Sequence, residues 1–281
     1  MTAIPNGYEG LLWSSRMDLE LAGRSAFVAA ASKGLGRGVA TRLVAEGANV
    51  VISSRSAENL AAAREGILDE TGRDDDAVAT VEVDLADQAA IEHGVATAVE
   101  RFGGLDVLVT NHGGPENAAF EATSLDDFDT GYRGVLRSTL TLCKAALPAL
   151  RDGGGAVTHL VGASAMEPNP NGAVGNVFRP GIYGLSKVLA NEEGEHGVRS
   201  NCVAPRGVLS DRIEEKITAR AEREGITEAE VRELRVAELP VTEMGTTEEF
   251  GKAVAFVSSP AASYITGSVL PVDGGWCRRI L

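Results

Sequence analysis

The stretch AFVAAASKGLGRG, residues 26–38, decides the fold, because an apolar run is followed at once by a glycine-rich turn and a helix. Residues 26–30 have the character of a buried strand, and VATRLVAEG after the turn has helical spacing up to Gly47. Gly34 and Gly36 allow a backbone to approach a pyrophosphate closely, and the free N–H groups at a helix start bind such an anion. The alternative interpretation is a tight strand-to-helix turn without a ligand.

The rest of the chain continues this alternation of strand and helix. We predict six more strands, at about 48–53, 77–83, 105–110, 156–163, 198–204 and 268–273. Helices are predicted on the segment that carries Tyr183, as a pair within 208–238, and over about 57–71, 87–102, 125–150 and 247–258. Strict alternation requires parallel pairing through right-handed crossovers. The predicted fold is therefore α/β, a single Rossmann-like doubly wound domain with a seven-stranded parallel sheet and helices on both faces.

The first 16 residues stand apart from this pattern. Met17 begins a stretch that leads directly into the first strand, so we divide the chain into an N-terminal extension, 1–16, and a domain, 17–281. The extension is either an ordered arm that packs through LLW at 11–13, a flexible tail, or the product of a start codon placed too far upstream.

The composition excludes several classes of function. Forty acidic against 26 basic residues give a net charge of −14, so the protein repels nucleic acid and anionic membranes. No uncharged apolar run approaches the roughly 18–20 residues that span a bilayer. The three cysteines are far apart, which fits free thiols in the cytoplasm, and the four histidines lack metal-ligand spacing. We expect a cytoplasmic protein with no metal site and no nucleic-acid or membrane partner.

A basic stretch, residues 24–55, interrupts the acidic chain and indicates an anionic ligand, with plain scatter of charges as the alternative. Strand two ends in Ser53, Ser54 and Arg55, without the carboxylate that NAD-selective chains place there. Lys33 and Arg55 are instead suited to bind a 2′-phosphate. We therefore predict NADP(H) as the cofactor, although both side chains could also be ordinary exposed cations.

The stretch GIYGLSK, residues 181–187, places Tyr183 four residues before Lys187, so both side chains project from one face of a helix. A free phenol has a pKa of about 10. A cation within about 4–6 Å lowers that pKa and makes the phenol a usable proton donor near neutral pH. The pair is thus a candidate acid with its electrostatic partner, and an ordinary helix surface is the alternative.

The chain resembles the classical short-chain dehydrogenase/reductases over about residues 19–281, because six motifs occur in the order of that family. They are ASKGLG in the glycine turn, VDL ending at Leu85, NHGG at 111–114, YGLSK at 183–187, NCVAPRG at 201–207 and YITGSVLPVDGG at 264–275. The chain looks most like the β-ketoacyl-carrier-protein-reductase-like branch, through NHGGP, EPNPNG and the long approach to Tyr183.

This resemblance implies the roles of the site residues. Asp84 and the Leu85 amide would hold the adenine, and Tyr183 would protonate the substrate carbonyl. Lys187 would bind the nicotinamide ribose and lower the pKa of the tyrosine. The whole cofactor site would consist of Ala30, Ser32, Lys33, Gly34, Leu35, Gly36, Ser54, Arg55, Asp84, Leu85, Asn111, Gly113, Tyr183, Lys187, Pro205 and Val208.

Two departures from the family pattern concern backbone turns. Ala29-Ala30 replaces the usual Thr-Gly, and because Ala30 lacks the freedom of glycine to take positive φ, we expect an altered first turn. Gly162 stands where the catalytic serine usually ends strand five. Ser164 faces the same side and would lie about 6–7 Å further along, unless the chain turns back. Ser164 is therefore a candidate catalytic residue, with a turn-capping serine as the alternative.

Two more departures concern polar groups. Val135 stands near the position of an asparagine that anchors a proton-relay water, so that relay must be rebuilt or absent. Arg206 replaces the glycine that usually follows Pro205, and it either selects an anionic group or points to solvent.

Two segments border the expected substrate pocket. The approach 164–183 is rich in Pro, Asn and Gly, so we predict a rigid irregular loop, with Pro180 in the first turn of the helix that follows. The segment 208–245 is predicted to be a substrate lid whose apolar face, with Ile213 and Ile217, meets the substrate. The alternative is a plain surface helix pair.

We therefore expect an NADP(H)-dependent oxidoreductase, similar to 3-oxoacyl-ACP reductases, that interconverts a carbonyl and an alcohol on a small molecule. The resemblance also implies a homotetramer or homodimer with the C-terminal WCRRIL near an interface. The missing serine and asparagine favour an alternative, a non-catalytic NADP(H)-binding sensor or scaffold of the same fold. A cofactor-free lyase or dehalogenase is a further alternative, but it has no use for a 2′-phosphate site.

Overall fold

A single parallel sheet organises the described chain. The computed structural model describes residues 17–115 and 117–279, and the predicted N-terminal extension lies outside the described residues. Seven parallel strands in this part of the chain have the order β3-β2-β1-β4-β5-β6-β7. They are β1 Ser25–Val28, β2 Asn49–Ser54, β3 Val78–Glu82, β4 Val107–Thr110, β5 Gly155–Leu160, β6 Val198–Pro205 and β7 Val269–Val272. The predicted sheet is confirmed, and its winding reverses between β1 and β4, where such sheets bind ligands.

Helices fill the crossovers between the strands. They are α1 Gly34–Ala45, α2 Ala57–Thr71, α3 Gln88–Phe102, α4 Leu125–Gly131, α5 Ser138–Leu150, α6 Ala173–Glu192, α7 Asp211–Glu224, α8 Glu228–Val236 and α9 Thr247–Ser258. Polar side chains cap the N-termini of several of these helices. Ser56 accepts from Asn59 N at the start of α2, and Thr246 forms a capping box with Glu249 at α9. No helix in the described residues is long and apolar enough to cross a membrane.

The central strands are apolar on both faces because helices cover both. Val28 belongs to a buried cluster with residues of α1, α2 and α9. Its neighbour Phe27 points to the other face and joins a cluster with α3 and α5. Both side chains are fully buried. Burying an apolar side chain of this size stabilises the fold by about 1.5–3 kcal/mol, so the two clusters hold the helices on the sheet.

The predicted helix 125–150 has an irregular centre. A π-helical turn, Tyr132–Arg137, separates α4 from α5. The hydroxyls of Ser138 and Thr139 donate to carbonyls of this turn and stabilise it. Val135 is buried there in an apolar cluster. The helix is therefore distorted at the position of the missing asparagine. The apolar side chain of Val135 cannot form a hydrogen bond to a relay water.

Helix α6 begins earlier than predicted. Its first residue is Ala173, so Pro180 lies in the helix interior, and the prediction that it occupies the first turn is wrong. The physical reason is tertiary contact: Val174 is buried against α4, and Asn176 Nδ2 donates to a loop carbonyl at 2.8 Å. These contacts offset the helical hydrogen bond that a proline removes. The irregular loop predicted over 164–183 is therefore confined to the residues before the helix.

The turn after β1 keeps a left-handed residue. Ala30 has φ of +49°, so the expectation that alanine would avoid positive φ at this position is wrong. Backbone hydrogen bonds on both sides hold it: Ala29 N donates to Val109 O at 3.0 Å, and Ala31 N donates to Ser53 O at 2.8 Å. An L-residue in this conformation costs about 1–2 kcal/mol, which these bonds offset.

The strain at Ala30 predicts a stabilising substitution. Ala30→Gly should raise the free energy of unfolding by about 1 kcal/mol, because glycine takes positive φ without a steric penalty. Urea unfolding of both proteins measures the difference. Ala29→Gly is the matched control: Ala29 is fully buried and has ordinary φ. In Ala29→Gly the free energy of unfolding should fall by about 1 kcal/mol, because a buried methyl group is removed. An Ala30→Gly protein as unstable as this control would contradict the strain.

Candidate active site

The loops that follow β1 and β4 meet at the carboxyl edge of the sheet. Asn111 Nδ2 donates to Ala30 O at 3.1 Å and ties the two loops together. Gly36 lies against this contact. A Cβ added there would be 2.5 Å from Ala30 O and 2.9 Å from Asn111 Nδ2. Only glycine therefore allows α1 to begin directly on the turn.

The start of α1 has the character of an anion site. Lys33 is its N-cap residue and makes no side-chain capping hydrogen bond. The Gly34 amide instead donates to Asp211 Oδ2, from the start of α7, at 2.9 Å. A carboxylate thus occupies a place where helix N-termini bind phosphates. Sequence reasoning did not identify Asp211, because no local pattern indicates a contact over this separation.

The cations of residues 24–55 separate into two groups. Three arginines are engaged in ion pairs: Arg24 with Asp106, Arg37 with Glu70 and Arg42 with Glu46. Lys33 and Arg55 are exposed and form no ion pair with any described residue. The bond from Ala31 N to Ser53 O brings the end of β2 beside the glycine turn. The two cations that the sequence assigns to a 2′-phosphate are therefore the two left without a carboxylate.

The other predicted cofactor residues lie in loops at this edge. Asp84 is exposed, and its Oδ1 accepts from Ala86 N at 2.9 Å. Val208 is buried and forms a parallel bridge with Gly245. The turn after β1 and the start of α1 contain Ala30, Ser32, Lys33, Gly34, Leu35 and Gly36. Ser54 ends β2 and Arg55 follows it, and Pro205 ends β6. The loop after β3 contains Asp84 and Leu85, and the loop after β4 contains Asn111 and Gly113.

The Tyr183 hydroxyl is buried and has no hydrogen-bond partner among the described residues. Burial raises the pKa of Tyr183, and the Cys202 thiol adds to the rise, whereas the positive charge of Arg179 lowers it. Lys187, one turn further along α6, is exposed, and its Nζ donates to Gly267 O at 3.5 Å. In the free protein, Arg179 is thus the cation that lowers the pKa of Tyr183. The family resemblance had implied Lys187 for this effect.

The chain turns back directly after β5, so Ser164 is not displaced along the strand direction. Residues Ala163–Ala165 form a 3-10 turn, and Ser164 is buried. Its Oγ accepts from Arg179 Nη1 at 2.9 Å. It also lies 3.8 Å from the point where a Cβ on Gly162 would be. The structure therefore brings the Ser164 hydroxyl next to the position of the missing serine.

Arg179 is the residue that the motifs missed. It precedes Tyr183 by four residues, as Tyr183 precedes Lys187, so the three share one face of α6. Burial and the charge of Arg212 lower the pKa of its guanidinium. The repeated spacing of four was the one signal in the sequence that pointed to it.

His112 lies beside these cations in the loop after β4. Burial and the charges of Arg179 and Arg212 lower its pKa to about 4. Its Nε2 is buried without a partner in the described chain. The ring is therefore neutral near pH 7 and adds no charge to the site. No group of three or more His, Cys, Asp or Glu residues in the described chain could hold a metal ion.

The segment 208–245 contributes a cationic surface where an apolar one was expected. Ile217 is fully buried in a cluster with Val231 and Ile213, between α7 and α8. The prediction that this apolar face meets the substrate is wrong, because the two helices use it to pack on each other. Arg212, on an adjacent stripe of α7, donates to the carbonyls of the loop after β4, Gly114 O at 2.6 Å and Pro115 O at 2.7 Å.

The Arg206 guanidinium is held by contacts within the protein. Its guanidinium lies 4.3 Å from the ring centroid of Trp276. It also donates to Asn169 Oδ1 and Glu238 Oε2, each at 3.0 Å. It therefore links the loop after β5, the segment after α8 and the C-terminal region of the chain.

A cleft of about 570 Å³ lies at the opposite edge of the sheet, between the amino ends of β4, β5 and β6. Its arginines are engaged within the protein: Arg24 with Asp106, Arg151 with Glu193, and Arg199 with three backbone carbonyls. Because these cations are already paired, we place the functional site at the carboxyl edge, where unpaired polar groups converge.

Known proteins match both the sequence and the fold. Residues 29–277 match the model of a family described as Enoyl-(Acyl carrier protein) reductase. The D-beta-hydroxybutyrate dehydrogenase of Cupriavidus necator is 30% identical over 266 residues, which cover 92% of this chain and 100% of that protein. A 3-oxoacyl-(acyl-carrier-protein) reductase of Staphylococcus aureus is 30% identical over 259 residues, covering 90% of this chain and 97% of that protein.

A solved structure shares the sheet and its helices. The L-sorbose reductase of Gluconobacter frateurii, complexed with NADPH and L-sorbose, matches with a TM-score of 0.89 and 26% identity. The match covers 94% of this chain and 100% of that one. The order of the motifs, the seven-stranded sheet and these relatives agree, and the chain belongs to the short-chain dehydrogenase/reductase family of oxidoreductases.

Proposed function

We propose that the protein is an NADP(H)-dependent oxidoreductase that interconverts a carbonyl and an alcohol, with Tyr183 as the general acid and base. The observation that carries the proposal is the buried Tyr183 hydroxyl, which has no hydrogen-bond partner among the described residues and lies on the helix that also bears Arg179 and Lys187. A buried polar group without a partner costs about 1–3 kcal/mol. The oxygen of a substrate carbonyl would satisfy it.

The chemistry needs a hydride on the carbonyl carbon and a proton on the carbonyl oxygen. When bound, NADPH would supply the hydride and leave as NADP⁺. Tyr183 Oη donates the proton, so the C=O π bond is replaced by a C–H bond and an O–H bond. The positive charge of Arg179 opposes the rise in the pKa of Tyr183 that burial causes, and it stabilises the phenolate that remains. Lys187, one turn further along the same helix, is proposed to add to this stabilisation. Oxidation of the alcohol uses the same groups in reverse.

Ser164 is proposed to orient the carbonyl. Its Oγ accepts a hydrogen bond from Arg179, so its own proton is available to donate to the substrate oxygen. Two donors, Ser164 and Tyr183, would then converge on one oxygen. Such a pair supports both binding and proton transfer.

The cofactor site fits a phosphorylated dinucleotide. The start of α1, where Asp211 accepts from the Gly34 amide, and the close approach at Gly36 suit a pyrophosphate. Lys33 and Arg55, which have no ion-pair partner among the described residues, suit a 2′-phosphate. The NADPH complex of the L-sorbose reductase, which matches nearly the whole chain, supports the same choice.

The segment 208–245 is proposed to act as a lid. Asp211 takes the Gly34 amide that a pyrophosphate would use, and Arg212 ties the same helix to the loop after β4. Because a carboxylate and a pyrophosphate cannot share one donor, cofactor binding moves the start of α7. The lid thus connects the cofactor site to the substrate pocket.

The proposed working form is a cytoplasmic homotetramer or homodimer, as the family resemblance suggests. The C-terminal region would lie near the interface. Trp276 packs on Arg206, and the last two residues, 280–281, lie outside the described chain. Sedimentation that shows a stable monomer would overturn this assembly.

A non-catalytic NADP(H) sensor is the second candidate. The observations in its favour are Gly162 in place of the serine and buried Val135 in place of the relay asparagine. A sensor would bind NADPH but oxidise it with no carbonyl compound.

The proposed role of Tyr183 as the general acid predicts how removal of its hydroxyl changes the rate. Tyr183→Phe should lower kcat by at least about 100-fold, since general acid catalysis typically contributes 10²–10⁴-fold. NADPH affinity, measured by fluorescence titration, should change less than about threefold, because the phenyl ring keeps the packing. Steady-state NADPH oxidation with a panel of carbonyl compounds measures the rate.

The control for this substitution is Tyr264→Phe, at a fully exposed tyrosine on the surface. Its kcat should equal that of the unmodified protein. An unchanged rate in Tyr183→Phe would remove Tyr183 from the mechanism. NADPH binding without turnover on any compound in the unmodified protein would favour the sensor.

The 2′-phosphate site predicts a selective loss of affinity. Each of Lys33→Gln and Arg55→Gln should raise the Kd for NADPH about tenfold, because a charge-assisted hydrogen bond of roughly 1.5–3 kcal/mol is lost. The Kd for NADH should stay unchanged. Arg37→Gln is the control, because Arg37 lies in the same stretch but is paired with Glu70 at 2.5 Å. Equal losses for NADH and NADPH would contradict the assignment.

A further inference from the structure

Arg212 and Lys216 are one turn apart on α7, so they share a face of that helix. With three further arginines they form a group of five cations at the proposed lid, although the chain as a whole is acidic. We call them the cation cluster: Arg179 of α6, Arg206 after β6, Arg212 and Lys216 of α7, and Arg235 of α8. Burial, together with the charges of the four arginines, lowers the pKa of Lys216 to about 8. The five charges therefore lie within electrostatic reach of one another, and they come from four separate segments.

Carboxylates are arranged differently around the inner and outer cations of the lid. The outer arginines of α7 and α8 are ion-paired, Arg220 and Arg223 with Glu224, and Arg232 with Glu214. In the cluster, Arg206 pairs with Glu238 at 3.0 Å. Neither Arg179 nor Lys216 has a carboxylate partner in the described chain. Although the sequence has 40 acidic residues, none of those that the structure describes pairs with Arg179 or Lys216.

Two arginines of the cluster have unsatisfied donors. Arg179 Nε and Arg235 Nε are buried and have no hydrogen-bond partner among residues 17–115 and 117–279. Buried charges in proteins are normally paired, because an unpaired one loses its hydration without compensation. A bound anion would satisfy both donors and offset the mutual repulsion of the cluster.

The cations of the cluster come from other segments than the proposed phosphate sites of the cofactor. Those sites are the start of α1 and the pair Lys33 and Arg55. Arg179 instead lies one helical turn before Tyr183, and its charge acts on the pKa of that phenol. An anion held by Arg179 and Lys216 would therefore be close to the reacting carbonyl.

We propose that the substrate carries an anionic group, a carboxylate or a phosphate, near its carbonyl, and that Arg179, Lys216 and Arg235 bind that group. The inference rests on the proposed oxidoreductase function and names the substrate class for the same site. It excludes neutral sugars and steroids as good substrates. Arg206 and Arg212 hold the surrounding loops and add to the positive potential.

Matched substrate pairs test this proposal. Each pair contains one anion and its neutral counterpart: 3-oxo acids of increasing length with their methyl esters, and dihydroxyacetone phosphate with dihydroxyacetone. We expect kcat/KM to be at least about tenfold higher for the anionic member of one of these pairs, since a hydrogen bond to a charged group contributes that much or more. The pair with the larger ratio distinguishes a carboxylate from a phosphate.

The variants Lys216→Gln and Arg235→Gln should each lower that ratio about tenfold or more, again by loss of one charge-assisted contact. They should leave the Kd for NADPH unchanged. Arg223→Gln is the matched control, because it removes a charge from the outer face of the same helix, where Arg223 pairs with Glu224. The ratio of kcat/KM between the anionic and the neutral substrate should be the same in Arg223→Gln as in the unmodified protein. Thermal unfolding of each variant verifies that it is folded.

Calorimetry separates this proposal from the proposed reaction. The 3-hydroxy acids and inorganic phosphate are titrated into the NADP⁺-saturated protein and into Lys216→Gln. Binding that is lost in Lys216→Gln, even with no turnover of any pair, would support the anion site and overturn the reaction. Turnover with equal or higher kcat/KM for the neutral members would overturn the anion site alone. Failure of every anion to bind, or a weaker Kd for NADPH in Lys216→Gln, would also overturn it.

Discussion

The close approach of α1 to the turn after β1 is the constraint on which the site depends. A Cβ on Gly36 would lie 2.5 Å from Ala30 O, so only glycine lets the helix begin at the carboxyl edge of the sheet. The same turn holds Ala30 at positive φ between two backbone hydrogen bonds and receives Asn111 from the next loop. Through these contacts, the start of α1, the end of β2 and the loop after β4 meet at one edge of the sheet.

Several cations around that edge lack carboxylate partners, which favours the binding of anions but lowers the stability of the fold. Ten arginines of the described residues pair with carboxylates, whereas Lys33, Arg55, Arg179 and Lys216 have no ion-pair partner among those residues. Burial and the charges of neighbouring arginines lower the pKa of Lys216, and this lowered pKa expresses the cost of leaving the ammonium group unpaired. Unpaired charge of this kind is typical of a functional site, where stability is reduced in favour of binding. A bound dinucleotide and an anionic substrate would restore the balance.

Much of the fold could be predicted from the sequence, because hydrophobic runs and glycine turns are local signals. Helix α2 and helix α9 have the predicted bounds, 57–71 and 247–258. Pro180 misled the prediction of α6, since the contacts of Val174 that extend this helix come from α4, which no local pattern reveals. The motifs and the departures from them predict Tyr183 and Ser164 as catalytic residues, but the contacts of Arg179 and Asp211 depend on which segments meet in space. The orientation of α7 was missed for the same reason: its apolar stripe packs on α8, and that choice is tertiary.

A crystal structure of the protein with bound NADPH would be the most direct measurement of the proposed function. We expect the pyrophosphate on the Gly34 amide in place of the Asp211 carboxylate, and the 2′-phosphate between Lys33 and Arg55. The nicotinamide should then face the Tyr183 hydroxyl, with Ser164 and Arg179 on the same side. A complex in which Asp211 keeps its hydrogen bond to Gly34, with the nicotinamide ring away from Tyr183, would contradict the proposed function.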